Sequence, residues 1–558
     1  MRRFAKLVAS ALVAGLTLTG CAHLPLTGEV RQGSVIDAGL SAEQLYYSPS
    51  GPVDGASQDE VIMGFLNAGT GPQNDYSVAR EYLSAKFRNR WSPDQGVLVE
   101  TGRPQIAFDE AGHTRVVIQV QSALDAHGVY SALPAGSERV LDFTLTREQG
   151  EWRITSAPNL TVLNRPIFDV IFQSYSFYFF DKQFKYLVPD VRWFPARAST
   201  STRMVTELFA GPSEWLSKAV TTAIPEGMKL SIASVTVAAG TAAVDLNSKF
   251  LILSPTQQMQ FKSQLSATLR QLAGVTEVQI LVERSPQSIA DFDARATSVA
   301  AATPTILTAD GFKHLSGAQP SNFGQVRALT VAFNADDFSL SADETHAAIR
   351  GNEGVQLILL SALGSTPLLV DNRKDLVRSV FDRQGYLWSM GEAAGSQIRA
   401  IGMDGKSTVV PAGWLSLANR QEIAISAEGS RLAARIKTPS GSQVWVSTII
   451  RDEAGKPTGL GTPVQLAPQL ASPVSIAWSG ETAVAILDSN DGVRALTHLA
   501  VVGADSSSLL GIQNGIRVIS SPVGEVYVMS RYGELYRYKS SNWDRVAQGI
   551  IAVHYAGQ

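Results

Sequence analysis

The second half of the chain repeats itself, and a repeat limits the possible folds more than any single residue does. Glycines at 385, 429, 480 and 524 stand 44, 51 and 44 residues apart. Each falls in a short strand, polar turn, short strand pattern. The copies are Ser379 to Gly385, Ile423 to Gly429, Ser475 to Gly480 and Val518 to Gly524, with a fifth at Phe338 to Glu344. Between copies lies a second hairpin, such as Val444 to Ile449 followed by Asp452-Glu453-Ala454-Gly455 and Val464 to Leu466. Two hairpins in each repeat make one four-stranded blade. Residues 300–558 therefore predict an all-β propeller of five or six blades. The sixth would come from the stretch before Phe333 and the strands after Trp543. A β-sandwich is the alternative.

The N-terminus constrains where the chain resides. Met1-Arg2-Arg3-Phe4-Ala5-Lys6 supplies three cations, and Leu7 to Gly20 carries no charge. That run is shorter than the roughly 20 residues needed to cross a bilayer core, so residues 1–20 read as a signal peptide. Leu18-Thr19-Gly20-Cys21 resembles the bacterial lipobox. The resemblance implies S-diacylglycerol and N-acyl chains on Cys21, cleavage before it, and a cell-membrane location facing outward. Two or three acyl chains hold a protein stably at a bilayer where one is marginal. Cys21 is the only cysteine of 558 residues, so no disulfide framework or cysteine-based metal site exists. Residues 21–57, rich in Gly, Ser and Pro, read as a tether.

Charged residues make up 17% of the chain and its net charge is −3, with no strongly basic segment. Nucleic acid is therefore not an expected partner. The mature length predicts several domains, and the aromatic content is sufficient for packed cores.

Residues 58–160 begin with helical faces, Val61, Ile62, Phe65 and Leu66, then Val78, Ala79, Tyr82 and Leu83, with Asn74 or Asp75 as N-cap. Strands are expected at Thr114 to Ala123, Gly128 to Ala132, Arg139 to Arg147 and Glu151 to Ser156. Helices followed by strands mean α+β. The order, ending on Gly150-Glu151-Trp152-Arg153-Ile154, resembles the NTF2-like domains. Some members of that group are enzymes with an Asp–His pair in the cone, which makes Asp109, His113 and His127 candidates, with solvated loop residues as the alternative.

Residues 174–285 begin with the aromatic strand Ser176 to Phe180. A helix carrying Met204, Val205, Leu208 and Phe209 ends at Gly211-Pro212. Strands Ser231 to Val237, Ala242 to Leu246 and Glu277 to Glu283 flank a helix with Phe261, Leu265, Leu269 and Leu272 in register. The set Leu208-x-x-Gly211-Pro212, Ile224-Pro225-x-Gly227, Val244-Asp245-Leu246 and Leu265-x-x-Thr268-Leu269 resembles the GerMN domain, an α+β fold with no catalytic residue to transfer. Asp245 reads as a capping carboxylate, with ligation as the alternative. The run Phe172, Tyr175, Phe177, Tyr178, Phe179 and Phe180 reads as core joining two domains, with a membrane belt as the alternative.

No G-x-S-x-G or H-E-x-x-H motif occurs, and no two of the seven histidines are spaced for shared metal ligation on one helix. Asp404-Gly405-Lys406-Ser407-Thr408 lacks the earlier glycine of a phosphate loop, since Ala400 stands there, and reads as a hairpin turn. Asp488-Ser489-Asn490-Asp491-Gly492 has its glycine one position early for a calcium loop. No catalytic residue, cofactor or metal is expected.

Lipobox, NTF2-like unit, GerMN unit and propeller in that order resemble the LpqB family of actinobacterial lipoproteins. The resemblance implies an accessory protein of the Mtr two-component system, acting on the extracytoplasmic part of its sensor kinase and so on envelope growth and division. The residues themselves support an anchored, non-catalytic binding protein. Two alternatives remain open. One is a propeller enzyme acting on cell-wall polymer, for which His346, Arg383 and Arg431 near blade turns are the hints. The other is a ligand or lipid carrier using the NTF2-like cone.

Overall fold

The computed structural model describes residues 49–557 apart from 109–112, 198, 295–302, 316–332, 361–365, 471 and 490–491. The lipobox, Cys21, most of the tether, Asp109, Asn490 and Asp491 lie outside the described residues. No helix among the described residues is long and apolar enough to cross a membrane.

The first module is built on one long strand, His113–Leu124, whose alternate residues are buried. Strands Glu138–Glu148 and Glu151–Ser156 extend the sheet on one side, and Val97–Glu100 and Thr161–Asn164 on the other. The last two are parallel. The apolar stripe of helix Gln58–Ala68 packs onto one face of this sheet. The interior is filled by Phe65, Trp91, Phe143 and Tyr76, with the Phe65 and Trp91 rings 4.9 Å apart. Neither Asn74 nor Asp75 caps the short helix Ser77–Glu81. Tyr76 holds that position, and residues 74–76 are all left-handed, at φ 49°, 55° and 56°. The turn swings the Tyr76 ring onto Trp91, and burial of a large ring offsets the cost of the conformation.

In the second module, strands Phe172–Asp181 and Leu187–Pro195 form a hairpin. Strands Thr241–Leu246 and Glu277–Val282 run parallel, joined by the helix Pro255–Leu269. That crossover starts on a capping box of Ser254 and Gln257, with Pro255 in the first turn. The strand expected from Ser231 begins only at Thr236, because residues 231–235 pass through bends into the parallel sheet.

Among the described residues, six antiparallel sheets make the third module. They cover residues 337–371, 380–409, 419–466, 473–513 and 515–547, and a sixth joins Thr305–Thr308 and Gly311–His314 to the C-terminal strand Ile550–His554. The last strand of the protein thus pairs with the first of the propeller and closes the ring. In the repeated turns Gly385, Gly429, Gly480 and Gly524 all have positive φ, which a side chain would strain. In the remaining copy Glu344 accepts the same conformation at φ 53°.

The modules interlock. Phe177, Phe179 and Phe180 are buried in the hairpin, and Tyr178 donates its hydroxyl to Glu481 of the propeller at 2.7 Å. The aromatic run is therefore a joint rather than a belt. Trp193 donates its indole N–H to the Gly503 carbonyl at 2.9 Å, and Asp505 receives both the Tyr130 hydroxyl and Arg165. One propeller loop thereby holds both other modules. Gly128 lies against the hairpin so closely that a Cβ there would come within 2.6 Å of the Trp193 carbonyl oxygen.

Candidate functional site in the propeller channel

The innermost strands bring one residue from each blade to the same level of the channel. Asp337, Arg378, Glu422, Ser475, Arg517 and His554 form this ring, at the end of the channel opposite the turns that meet the hairpin of the second module. They are linked in order around the axis. Arg378 reaches Glu422 at 3.3 Å, and the Ser475 hydroxyl donates to Glu422 at 3.2 Å. Ser475 also accepts the Val518 N–H at 3.2 Å. Arg517 contacts His554 and reaches Asp337 at 3.2 Å, and His554 Nε2 lies 2.8 Å from Asp337 Oδ1. Above the ring opens a cavity of about 470 Å³, lined further by Arg350, Arg435, Asp375 and Glu392.

Burial would raise the Asp337 carboxyl, but Arg517, with His554 and Arg378, holds it well below the usual carboxylate range. Burial, reinforced by Arg517 and Arg378, pushes the His554 imidazole down to about 3. Burial, with Arg517 alongside, lowers the Arg378 guanidinium to about 10, so it stays cationic at neutral pH. The ring therefore holds a neutral imidazole beside the ionised Asp337 carboxylate and the cationic Arg378 guanidinium.

This arrangement predicts acid lability. The unfolded chain takes up a proton on His554 near its ordinary value of about 6.5, whereas the folded chain resists until about 3. The stabilisation is complete above the unfolded value and is lost as pH falls through that window, by about 1.4 kcal/mol per pH unit while only the unfolded chain is protonated. Asp337 adds to the loss below its ordinary carboxylate range. Melting temperatures between neutral pH and pH near 4 should fall for the wild type and fall less for His554→Gln. Equal slopes would show that His554 is not the group responsible.

The residues singled out in the sequence lie elsewhere. His113 and His127 stand at opposite ends of the long first-module strand and do not meet as a pair. His127 Nδ1 instead contacts Glu207 of the second module at 2.8 Å. Asp245 accepts the backbone N–H of Arg284 at 3.0 Å, a structural role. Lys406 and Asp404 pair across their own hairpin turn at 2.8 Å. Asp488 accepts the Ser472 N–H at 2.8 Å.

The three propeller hints do not converge. His346 bonds its neighbour Thr345, and Arg383 lies over the Tyr186 ring of the second module at 5.0 Å. Arg431 is buried, paired with Glu428 at 2.7 Å and stacked on Trp478. None of the six ring residues was a candidate from the sequence. They differ in type, so no recurring letter marks them. The only signal was a shared position seven residues ahead of the turn residues Glu344, Gly385, Gly429 and Gly524, filled by Asp337, Arg378, Glu422 and Arg517.

An α+β module, a GerMN-type module and a six-sheet propeller joined by side-chain hydrogen bonds define a class of multidomain propeller proteins. Family models match in the same order. The N-terminal domain of Lipoprotein LpqB matches residues 51–169, the sporulation and spore germination domain matches residues 176–288, and the Lipoprotein LpqB beta-propeller domain matches residues 321–552. Similar curated proteins named Lipoprotein LpqB come from Bifidobacterium longum (26% identical, covering 81% of this chain and 80% of that protein) and Cutibacterium acnes (25%, covering 97% of each). Another, from Thermobifida fusca, is 23% identical and covers 99% of each chain.

Among solved structures, TolB from Acinetobacter baumannii aligns with a TM-score of 0.35 at 12% identity, covering 54% of this chain and 72% of that one. The first GerMN domain of GerM from Bacillus subtilis aligns with a TM-score of 0.18 at 21% identity, covering 21% of this chain and 86% of that one. The chain belongs to the LpqB family of lipoproteins.

Proposed function

We propose that the protein is a lipid-anchored, extracytoplasmic, non-catalytic accessory protein of a membrane sensor kinase, of the Mtr two-component system that the family resemblance implies. The observation that carries this reading is the three-way joint at Trp193, Tyr130 and Asp505, where one propeller loop grips both membrane-proximal modules. A scaffold joined in this way can pass the occupancy of the propeller to a surface near the bilayer. Acyl chains on Cys21 would confine it to the membrane plane and raise its effective concentration beside a membrane receptor. Regulation then requires different affinity for two kinase states, since equal affinity shifts nothing.

A carrier role for the first module is disfavoured by Phe65, Trp91, Phe143 and Tyr76, which fill its interior. The enzyme alternative gains one observation, because the channel ring assembles His, Asp, Glu and Arg. Against it, His554 is only 3% exposed and is held between Asp337 and Arg517. Membrane pull-down from native cells tests the proposal, comparing wild type with Cys21→Ala by mass spectrometry. Recovery of a sensor kinase by the wild type, lost with membrane association in the variant, supports it. Recovery of wall polymer alone, or turnover of a muropeptide by the purified mature protein, overturns it.

A further inference from the structure

The cavity above the channel ring carries unmet guanidinium donors at one depth and carboxylates without an ion-pair partner among the described residues at another. At its floor, the Nε–H groups of Arg378, Arg435 and Arg517 are buried and have no acceptor among the described residues. The Arg378 guanidinium meets Glu422 as an ion pair through Nη2 at 3.3 Å, which leaves its Nε–H unmet among the described residues. Glu422 also serves the Ser475 hydroxyl, the Ile476 N–H and Arg435, and the other carboxylate acting on Arg378, Asp337, is engaged by Arg517 and His554. A buried guanidinium presents a planar fork of donors suited to two oxygens, and leaving donors unmet in low dielectric is costly. At the mouth, Asp375 and Glu392 are exposed, and neither pairs with a cation among the described residues. By contrast Arg350, on the same wall, is already satisfied by Asp336 at 2.9 Å.

We propose that this cavity binds an α-amino carboxylate, free or as the unacylated end of a diamino-acid residue within a peptide. The carboxylate would sit on Arg378 and Arg517 at the floor, and the ammonium would face Asp375 and Glu392 at the mouth. A simple anion would satisfy the floor but meet the carboxylates of the mouth and of Glu422. A simple cation would meet buried guanidiniums. A zwitterion entering carboxylate first meets the opposite charge at both depths. The cavity, at about 470 Å³, has room for more than one residue. This inference concerns what the propeller holds and stands apart from the kinase reading.

Calorimetric titration of the mature chain tests the proposal, with diaminopimelate, an alanyl-diaminopimelate dipeptide, N-acetylalanine and inorganic phosphate as probes. Diaminopimelate should bind, and N-acetylalanine, which lacks the ammonium, should bind at least about tenfold more weakly. Tighter binding of the dipeptide would mark a peptide source, and equal binding a free amino acid. Arg378→Met should abolish binding of every carboxylate. Glu392→Gln, at an exposed position, should weaken diaminopimelate while leaving N-acetylalanine unchanged, which keeps the test valid if the Arg378 variant fails to fold. Tightest binding of phosphate, no binding of diaminopimelate, or indifference to Glu392→Gln would overturn the proposal.

Discussion

A chain ending at Gly549 will lose the cooperative unfolding of its propeller. The missing strand, Ile550–His554, is the innermost strand of the sixth sheet, paired antiparallel with Thr305–Thr308. Its side chains face two neighbours. Ile550, Val553 and Tyr555 pack with Ile519, Tyr527 and Met529 of the fifth sheet, and Ala552 packs with Phe338 and Leu340 of the first. Full burial of a large apolar side chain contributes roughly 1.5–3 kcal/mol. Losing three of them, the closing ladder and the His554 link to Asp337 together rivals the roughly 5–15 kcal/mol by which a domain is stable. The strand edges it leaves behind also invite association with other chains. Near-ultraviolet dichroism and limited proteolysis should report a disordered or aggregated propeller. A truncated chain that still melts in one sharp transition within a few degrees of the full one would show that the first five sheets support themselves. Val553→Asp should give a weaker form of the same defect, because it places an unpaired charge at a buried position in the closing strand.

The two kinds of order in this molecule were unequally legible. The blades were, because each turn needs a positive φ and four of the five copies met that need with glycine, leaving a period to read. The hydrophobic stripes at Phe65 and Leu265 were legible for the same kind of reason, as their periodicity follows from the helix itself. The strands Val97–Glu100 and Thr161–Asn164 were not, since each has four residues and their parallel pairing joins segments some sixty positions apart. The joint was equally hidden. Trp193 and Gly503 are 310 residues apart and meet through an indole N–H and a carbonyl, a contact with no sequence pattern. The ring was hidden differently. Charge neutrality around a closed circle constrains the six residues jointly and leaves each position free to vary, so a repeat search finds the blades and passes over the site they form.

Removing the Asp190 carboxylate should be the most damaging single substitution in the second module. Asp190 and Arg192 are each 1% exposed and pair at 2.8 Å on the same strand of the hairpin. Asp190 also accepts the N–H and hydroxyl of Ser213, at 2.8 and 2.9 Å. Arg192 reaches the carbonyls of Gly211 and Glu207 and lies over the Phe177 ring at 4.9 Å. These contacts tie the end of helix Thr200–Ala210 to the strand that carries Trp193. Asp190→Ala removes the close counter-ion of a buried guanidinium and leaves it only the Glu207 carboxylate at 3.9 Å, a change whose cost approaches the roughly 3–5 kcal/mol of breaking a buried pair. Replacing both partners, as in Asp190→Ala with Arg192→Met, removes the stranded charge and should recover part of that loss. Scanning calorimetry of the three proteins separates the possibilities. A single variant no less stable than the wild type would mean that Gly211 and Glu207 suffice to hold Arg192. A double variant no better than the single would locate the damage in the lost Ser213 bonds instead. Because the same strand carries Trp193 at the joint, Asp190→Ala should also loosen the propeller, seen as new protease cleavage near Gly503, whereas damage confined to the second module would leave that loop protected.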